Sequence, residues 1–261
     1  MAIHKTAVVH ADATLGKGVT VGPFAVIGAG VVIGAGAAIG PHSVVEGQVE
    51  IGAKTRLHSH VCVGGPPQDR AHDGSETRVE IGAGCELREF VTVHAGSSAG
   101  VGVTRIGDGT WLMSGSHVAH DCVVGSGVTV ASGATLAAAV QVGDGATIGS
   151  LAGLHPQVRV GRLALVGAGA LCAQDVPPFT LAQGDRARLF GLNITALRNE
   201  DFDADVVRAL RRAWRTVFTS GASLRTGVRH ARAEAEGRAE VVELLDFLEG
   251  SARGVCKAAS A

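Results

Sequence analysis

The chain has 261 residues, with 23 Lys and Arg against 24 Asp and Glu, and its formal net charge is −1. This near balance argues against a basic nucleic-acid-binding surface, so nucleic acid is not an expected partner. Glycine is abundant, at 38 residues, whereas aromatic residues make up only 3% of the chain. An interior with so few rings has to be built from small and β-branched side chains.

The N-terminal segment and the cysteines bear on location. Residues 1–20 lack the basic stretch and apolar run of a signal peptide. No apolar stretch approaches the roughly 20 residues that cross a bilayer. The five cysteines are odd in number and have no CxxC spacing, which favours free thiols in a reducing compartment. We therefore expect a cytoplasmic protein without a transmembrane segment.

A six-residue repeat dominates residues 1–190. Branched aliphatic residues recur at Val9, Leu15, Val21, Ile27, Ile33, Ile39, Val45, Ile51, Leu57 and Val63, and again at Ile81, Leu87 and Val93. The series then slips by one residue and continues from Ile106 to Val166 and Cys172. A period of six is not that of a helix. It fits short strands that turn a corner every six residues, with each aliphatic side chain pointing inward.

Three such hexads close one triangular coil, and coils stack about 4.8 Å apart through backbone hydrogen bonds. The repeat therefore predicts a parallel β-helix. A Val/Gly-rich sandwich, the alternative, would alternate with period two and show hairpin signals between its strands.

Two segments, 64–78 and 95–105, interrupt the repeat. Insertions between stacked coils have to be extruded as loops, and such loops often carry function. The first contains a Pro pair and several polar residues, and the second is rich in Gly and Ser. We expect functional side chains in or beside them.

A helical domain is predicted for residues 191–261. The hexads stop after Pro177-Pro178, and apolar residues from Val206 to Phe218 then follow spacings of three and four. Asp203 or Asp205 would cap this helix. Two more helices follow, the last ending at Gly250, and residues 251–261 are predicted to fray.

The segment "HVAHDC" places two histidines and an aspartate among apolar residues. Neither His117 nor His120 occupies an inward position of its hexad, so both are predicted to point out of the prism. A neutral imidazole can take the proton of an attacking hydroxyl, and a neighbouring carboxylate such as Asp121 orients the ring. Two solvated surface histidines are the alternative interpretation of the same pattern.

The hexads, the two loops and the motifs "TRVEIG", "HVAHDC", "AQDVPP" and "AQGDRARLFGLN" together resemble the acyl-ACP:UDP-N-acetylglucosamine O-acyltransferases, which begin lipid A synthesis. The resemblance covers essentially the whole chain. It implies a left-handed coil and a homotrimer with clefts between neighbouring prisms. The implied reaction moves a (hydroxy)acyl chain from acyl carrier protein to the 3-hydroxyl of UDP-N-acetylglucosamine. No metal and no cofactor are expected beyond the phosphopantetheine arm of the carrier.

The resemblance also assigns roles to individual residues. His120 is the general base, Asp121 orients it, His117 contacts substrate, and the backbone N–H of Ala138 is the oxyanion donor. Gln68 and Asp69 match contacts to the acceptor sugar, and His94 and His155 match histidines of the site. Asn193 matches a nucleotide contact, and Ala168 matches the position that sets the acyl length. An acidic carrier favours a basic rim, for which the helix with Arg208, Arg211, Arg212 and Arg215 is a candidate. An ordinary solvated helix face is the alternative interpretation.

The departures from the family pattern cluster around the acceptor: Ala71, Ala139, Pro156, Thr195, Asn199 and Glu200 replace polar or charged family residues. Each lost charged contact is worth about 1.5–3 kcal/mol. Arg186, Arg188 and Arg198 are candidates to replace the lost cations. The pattern leaves open a divergent enzyme that acylates another hydroxyl or an amine, or a protein that binds without catalysis.

Overall fold

The protein is a three-sided prism of stacked coils, described by a computed structural model over residues 2–235 and 237–259. Within these ranges short strands form three sheets of eleven, nine and eight strands, and strands of successive coils pair in parallel. The predicted left-handed parallel β-helix is confirmed. Residues 1, 236, 260 and 261, which belong to the predicted β-helix, helical domain and frayed end, lie outside the described residues.

The strands are short, mostly two residues. The first sheet contains Ala2–Ile3, Thr20–Val21, Ala38–Ile39, Arg56–Leu57, Glu86–Leu87, Trp111–Leu112, Thr129–Val130, Thr147–Ile148, Leu165–Val166, Thr180–Gln183 and Arg188–Leu192. The second contains Val8–Val9, Val26–Ile27, Val44–Val45, Cys62–Gly65, Thr92–His94, His117–Val118, Thr135–Leu136, Gly153–Leu154 and Leu171–Cys172. The third contains Thr14–Leu15, Val31–Ile33, Gln48–Ile51, Arg78–Ile81, Val103–Ile106, Val123–Val124, Gln141–Val142 and Arg159–Val160.

The six-residue period is the period of the core. In a typical two-residue strand such as Trp111–Leu112 the first side chain points outward and the second is buried. Val118 pairs with Leu136, its equivalent three hexads later, so three hexads complete each coil. The stacked aliphatic side chains fill the prism and form one continuous apolar core.

Three corners join the sheets. We call the corner between the first and second sheets the first corner, that between the second and third sheets the second corner, and the remaining one the third corner. Both interruptions of the repeat leave the prism at the second corner. The first spans 66–77, between Cys62–Gly65 and Arg78–Ile81, and the second spans 95–102. The limits expected from the sequence, 64–78 and 95–105, therefore reach one to three residues into the flanking strands, because Val103 to Arg105 pair with residues 78–80.

The C-terminal region begins with an antiparallel hairpin, Thr180–Gln183 with Arg188–Leu192, which ends the first sheet. Within the described residues four helices follow: α1 Ile194–Asn199, α2 Ala204–Trp214, α3 Leu224–Ala233 and α4 Ala239–Glu249. α2 runs on into a π-helical turn, Arg215–Thr219, and Asp203 caps its start. The sequence did not predict α1. Among the described residues we find no helix with the length and apolarity needed to cross a membrane.

The C-terminal tail packs against the prism, so the prediction of a frayed end is wrong for residues 251–259. Val255 and Cys256 are buried, and Asp175 pairs with Val255 in a short parallel bridge. The Asp175 carboxylate accepts a hydrogen bond from the Ser251 hydroxyl at 2.8 Å. The Cys256 and Cys172 thiols are hydrogen-bonded, and this contact, with burial, raises the pKa of Cys172. The tail therefore covers the end of the β-helix.

Candidate active site

The candidate site is built on the second corner. The strand His117–Val118 leads into a turn, residues 119–122, that carries His120 and Asp121. Asp121 has a φ of 61°, and its N–H donates to the Thr104 hydroxyl at 2.9 Å. This left-handed conformation is uncommon for a residue with a side chain. It makes the corner at this coil, and it places the His120 ring on the outer wall, as predicted, with the buried Asp121 carboxylate beside it.

His120 and Asp121 form a hydrogen-bonded pair. Nδ1 of His120 lies 2.8 Å from Oδ2 of Asp121, and the Asp121 side chain is 3% exposed. The carboxylate also accepts the N–H of Ser97 at 3.1 Å and that of Gly102 at 2.9 Å. Because these donors fix the carboxylate, it holds the proton of the ring on Nδ1 and leaves the lone pair of Nε2 free to accept a proton.

The second loop is shaped around this carboxylate. A Cβ atom on Gly100 would collide with Oδ2 of Asp121, so the close approach of the loop requires glycine here. Sequence reasoning missed Ser97, Gly100, Gly102 and Thr104 as partners of Asp121. The interrupted repeat pointed to the loop as a whole, and no residue-type signal identifies a backbone N–H as a partner.

The imidazole rings of His117 and His94 are in contact on the outer face of the second sheet. Nδ1 of His117 lies 2.7 Å from the Thr92 hydroxyl, and the two rings meet edge to face with centroids 5.1 Å apart. Nδ1 of His94 is buried and has no hydrogen-bond partner in the described part of the chain. Burial lowers the pKa of both rings, and the positive charge that His120 can acquire lowers the pKa of His94 further. Both rings are therefore held neutral beside His120.

These lowered pKa values predict an acid-sensitive fold. Below about pH 6.5 an unfolded-state histidine binds a proton that folded His117 resists, so the free energy of unfolding falls as the pH drops. We expect the melting temperature to drop more between pH 7.5 and pH 5.5 in the wild type than in His117→Gln. The exposed His230→Gln is the control and should keep the wild-type pH dependence. Equal acid sensitivity of His117→Gln and the wild type would contradict the prediction.

The first loop brings Asp69 to the same corner. Its Oδ2 accepts the Ser97 hydroxyl at 2.7 Å and its Oδ1 accepts the N–H of Ala71 at 3.0 Å. These two hydrogen bonds, the Ser97 contact first, lower the pKa of Asp69, with a smaller contribution from the charge of His120. Gln68 precedes Asp69 on the exposed side of the loop. The predicted acceptor residues of this loop thus lie beside the predicted base.

The next coil supplies a free backbone donor. Ala138 occupies the turn between Thr135–Leu136 and Gln141–Val142, directly above the turn of His120, and the N–H of Ala139 donates to the carbonyl of His120 at 3.0 Å. The N–H of Ala138 itself has no hydrogen-bond partner within the described residues. An unpaired N–H one coil above the imidazole of His120 can stabilise an oxyanion.

His155 lies two coils above His120 on the same corner, in the turn after Gly153–Leu154. With Leu171, Arg186, Arg188 and Lys257, among others, it lines a cavity of about 510 Å³ under the C-terminal tail. Pro156, one of the departures from the family pattern, follows it directly in the same turn. Arg186 is thereby placed near His155 at the upper end of the wall.

The remaining predicted residues lie elsewhere in the protomer. Asn193 caps α1, accepting the N–H of Ala196 at 3.2 Å, and its side-chain amide donates to the carbonyl of Leu163 at 2.9 Å. Arg198 lines a cleft between α1 and α2 with Arg208 and Arg211. The altered positions Thr195, Asn199 and Glu200 are exposed on or just after α1. Arg186 and Arg198 are therefore not brought into one cluster within a protomer.

Ala168 is exposed in the turn at residues 167–170, at the first corner. This turn and the turn of His120 stand at opposite edges of the second sheet, nearly three coils apart, which is about 14 Å along the prism. Thr135, Gly153 and Leu171 occupy the same outward position in successive strands of that sheet and stack along the prism between the two turns.

Comparison with known protein families agrees with this architecture. Residues 104–138 match the family described as bacterial transferase hexapeptide (six repeats). Residues 175–256 match the family described as UDP N-acetylglucosamine O-acyltransferase, domain 2. One family match thus falls in the prism and the other in the C-terminal region.

Relatives match over nearly the whole chain. An acyl-[acyl-carrier-protein]–UDP-N-acetylglucosamine O-acyltransferase of Syntrophobacter fumaroxidans is 42% identical over 98% of this chain and 100% of its own length. The enzyme of that name from Myxococcus xanthus is 43% identical over 98% of this chain and 99% of its own. Among solved structures, LpxA from Acinetobacter baumannii superposes with a TM-score of 0.96 at 32% identity, covering 98% of this chain and 100% of its own. The UDP-N-acetylglucosamine acyltransferase of Campylobacter jejuni gives 0.93 at 33% identity, with the same coverage.

Proposed function

The chain belongs to the acyl-[acyl-carrier-protein]–UDP-N-acetylglucosamine O-acyltransferase family, a family of acyl-transferring enzymes, and we propose that it moves a (hydroxy)acyl chain from acyl carrier protein to the 3-hydroxyl of UDP-N-acetylglucosamine. That reaction is the first step of lipid A synthesis. The observation that carries the proposal is the His120–Asp121 pair, held at 2.8 Å on the outer wall of the prism beside Asp69.

The pair accounts for both halves of the transfer. Nε2 of His120 takes the proton of the sugar hydroxyl as its oxygen attacks the thioester carbonyl, and Asp121 stabilises the resulting imidazolium. The N–H of Ala138 donates to the oxyanion of the tetrahedral intermediate. When the C–S bond breaks, His120 returns the proton to the departing pantetheine thiolate. The residues need no metal or further cofactor for these steps, since the arm of the carrier brings the activated acyl group.

Asp69 and Gln68 are the proposed contacts to the acceptor sugar, with His117 and His94 at the adjoining face. The near-full-length relatives support UDP-N-acetylglucosamine as the acceptor despite the departures at Ala71, Ala139, Pro156, Thr195, Asn199 and Glu200. Asn193, Arg186 and Arg198 remain the predicted nucleotide contacts. Because they are spread over separate surfaces of one protomer, more than one copy would be needed to bring all three to one nucleotide.

A homotrimer is the proposed assembly. The outer face of the second sheet carries apolar residues that a monomer exposes, among them Val8, Val26 and Leu171. This sheet borders the corner of His120, so a second copy packed against it would form a cleft at the site. Sedimentation equilibrium should give three times the mass of the chain. A fully active monomer would contradict the assembly.

The cellular location and the acyl donor are also proposed from the membership in this family. The five cysteines all lie within the part of the chain that the structure describes, and they are free there, which supports a cytoplasmic location, where thiols stay reduced. Four exposed arginines on or next to α2, Arg208, Arg211, Arg212 and Arg215, offer a cationic surface to an acidic carrier protein.

The experiment that tests the function supplies the protein with 3-hydroxyacyl-ACP and UDP-N-acetylglucosamine and identifies the product by mass spectrometry and NMR. We expect an ester at the 3-hydroxyl and release of free carrier. Consumption of acyl-ACP only with another hydroxyl or amine acceptor would contradict the proposed acceptor. Binding without turnover of any acceptor would contradict the enzyme activity.

Ala168 should set the acyl length, as the family resemblance implies. Ala168→Gly removes a methyl group at the edge of the second sheet opposite the turn of His120. We expect the preferred chain to lengthen by about two carbons, with kcat/KM for the longer donor rising about tenfold. Assays with a series of acyl-ACPs of increasing length measure this. Ala29→Gly, another exposed alanine after a turn glycine, is the control, and an unchanged preference in Ala168→Gly would contradict the assignment.

A further inference from the structure

Ser97 lies between the carboxylates of two different parts of the site. It is fully buried in the second loop. Its backbone N–H donates to Oδ2 of Asp121 at 3.1 Å, and its hydroxyl donates to Oδ2 of Asp69 at 2.7 Å. The N–H of Ala99 donates to the same hydroxyl oxygen at 3.3 Å, which directs the hydroxyl proton toward Asp69. One buried residue thus fixes both carboxylates.

The next residue ties the same two loops together. The N–H of Ser98 donates to Nδ1 of His72 at 3.1 Å, and the hydroxyl of Ser98 accepts the N–H of Asp73 at 3.1 Å. The contact between the loops is therefore a short series of hydrogen bonds. Within this series, the Ser97 hydroxyl is the group that reaches a residue proposed to touch the acceptor.

We propose that Ser97 is a positioning residue that locks the acceptor-binding carboxylate of Asp69 to the His120–Asp121 pair, so that the sugar hydroxyl is presented to Nε2 at a fixed distance and angle. The inference rests on the proposed function, and it deepens it by assigning acceptor alignment to a residue that itself contacts neither substrate. Asp69 holds the sugar, and Ser97 sets where Asp69 stands relative to the base.

A hydroxyl donor to a carboxylate makes a charge-assisted hydrogen bond, and without it Asp69 is held at its Oδ1 alone, by the N–H of Ala71. Ser97→Ala removes that bond and keeps the backbone N–H that serves Asp121. We expect KM for UDP-N-acetylglucosamine to rise about tenfold, KM for acyl-ACP to stay constant and kcat to fall less than threefold.

The hydroxyl also lowers the pKa of Asp69. Its removal raises that pKa toward the ordinary value, so acceptor binding should begin to fail at a higher pH in Ser97→Ala than in the wild type. This shift provides a readout that a general loss of stability would not produce.

The test is a double-mutant cycle on the intact protein: wild type, Ser97→Ala, Asp69→Asn and the double variant, with Ser97→Thr as the variant that keeps the hydroxyl. Ser43→Ala is the matched control. Ser43 is equally buried, and its hydroxyl also donates one hydrogen bond at 2.7 Å and accepts one at 3.3 Å, in an early coil. We expect Ser43→Ala to lower the melting temperature without changing either KM, and Ser97→Thr to restore acceptor binding.

In the Asp69→Asn background, Ser97→Ala should have little further effect on KM for the acceptor, because the partner carboxylate is already gone. Fully additive effects would overturn the inference. So would an equal rise of KM for both substrates, or no change in Ser97→Ala, in a wild type that acylates UDP-N-acetylglucosamine. A wild type that does not acylate this acceptor would instead overturn the proposed function, and this inference with it.

Discussion

Replacing His120 with alanine is expected to lower kcat for acyl transfer by about 10²–10⁴-fold while changing KM for either substrate by less than threefold. The variant loses the only group proposed to take the proton of the attacking hydroxyl, whereas the contacts that hold the substrates remain. Initial rates at saturating acyl-ACP and UDP-N-acetylglucosamine measure the effect.

His10→Ala provides the matched control. His10 also lies on the second corner and faces a carboxylate, with Nδ1 3.6 Å from Oδ2 of Asp12, but it belongs to the first coil. It should retain the wild-type rate. If His120→Ala keeps more than a tenth of the wild-type kcat, His120 is not the base.

Asp121→Asn is expected to lower kcat by about 10²–10⁴-fold although the side chain keeps its shape. An amide NH₂ group facing His120 donates to Nδ1, which moves the ring proton to Nε2 and removes the lone pair that accepts the substrate proton. With the NH₂ group in the place of Oδ2, the N–H of Ser97 also loses its acceptor, and only the amide oxygen remains to accept the N–H of Gly102. Steady-state rates, with the melting temperature measured in parallel, test this prediction.

Asp108→Asn is the control for this variant. Asp108 lies at the third corner, and its Oδ1 accepts the N–H of Ala83 at 2.6 Å, so it too is a turn carboxylate bonded to backbone. The substitution should reduce stability modestly and leave kcat unchanged. A similar loss of kcat in both variants would show that the effect of Asp121→Asn is structural.

Much of the fold could be predicted because the core repeats. Each hexad contributes one inward aliphatic residue, so the period in the sequence is the period of the packing. The slip of the repeat has a physical origin too. Val63 pairs with Val93, so the first loop lengthens its coil by two whole hexads, which preserves the phase of the repeat. Val93 pairs with Val118, so the second loop lengthens its coil by a hexad and a single extra residue, which shifts the phase.

The corner of the site was predictable for a related reason. Hexad counting places His117 and His120 off the inward positions, and stacking by three hexads places Ala138 above His120, as the pairing of His117 with Thr135 shows. Both loops leave the prism where a hexad ends, at the corner of the same histidine. The repeat thus predicted that His120 faces outward, and the structure adds that both loops lie at its corner.

The details of the loops and of the tail could not be predicted. Ser97 contacts Asp121 through its backbone N–H, and Gly100 allows the close approach of the loop because it has no side chain. Neither feature can be recognised from the pattern of residue types. The tail was predicted to fray because the helical pattern stops at Gly250, yet Asp175 and Cys172 in the last coil give it partners. α1 was missed because six residues carry too little periodicity.

The pH dependence of kcat/KM for UDP-N-acetylglucosamine, measured in the wild type and in the residual activity of His120→Ala, tests whether His120 is the general base. We predict that the wild-type rate falls as the pH drops, because a protonated imidazole cannot accept the hydroxyl proton. The account predicts that the fall disappears in His120→Ala, and a variant with the same acid limb as the wild type would contradict it.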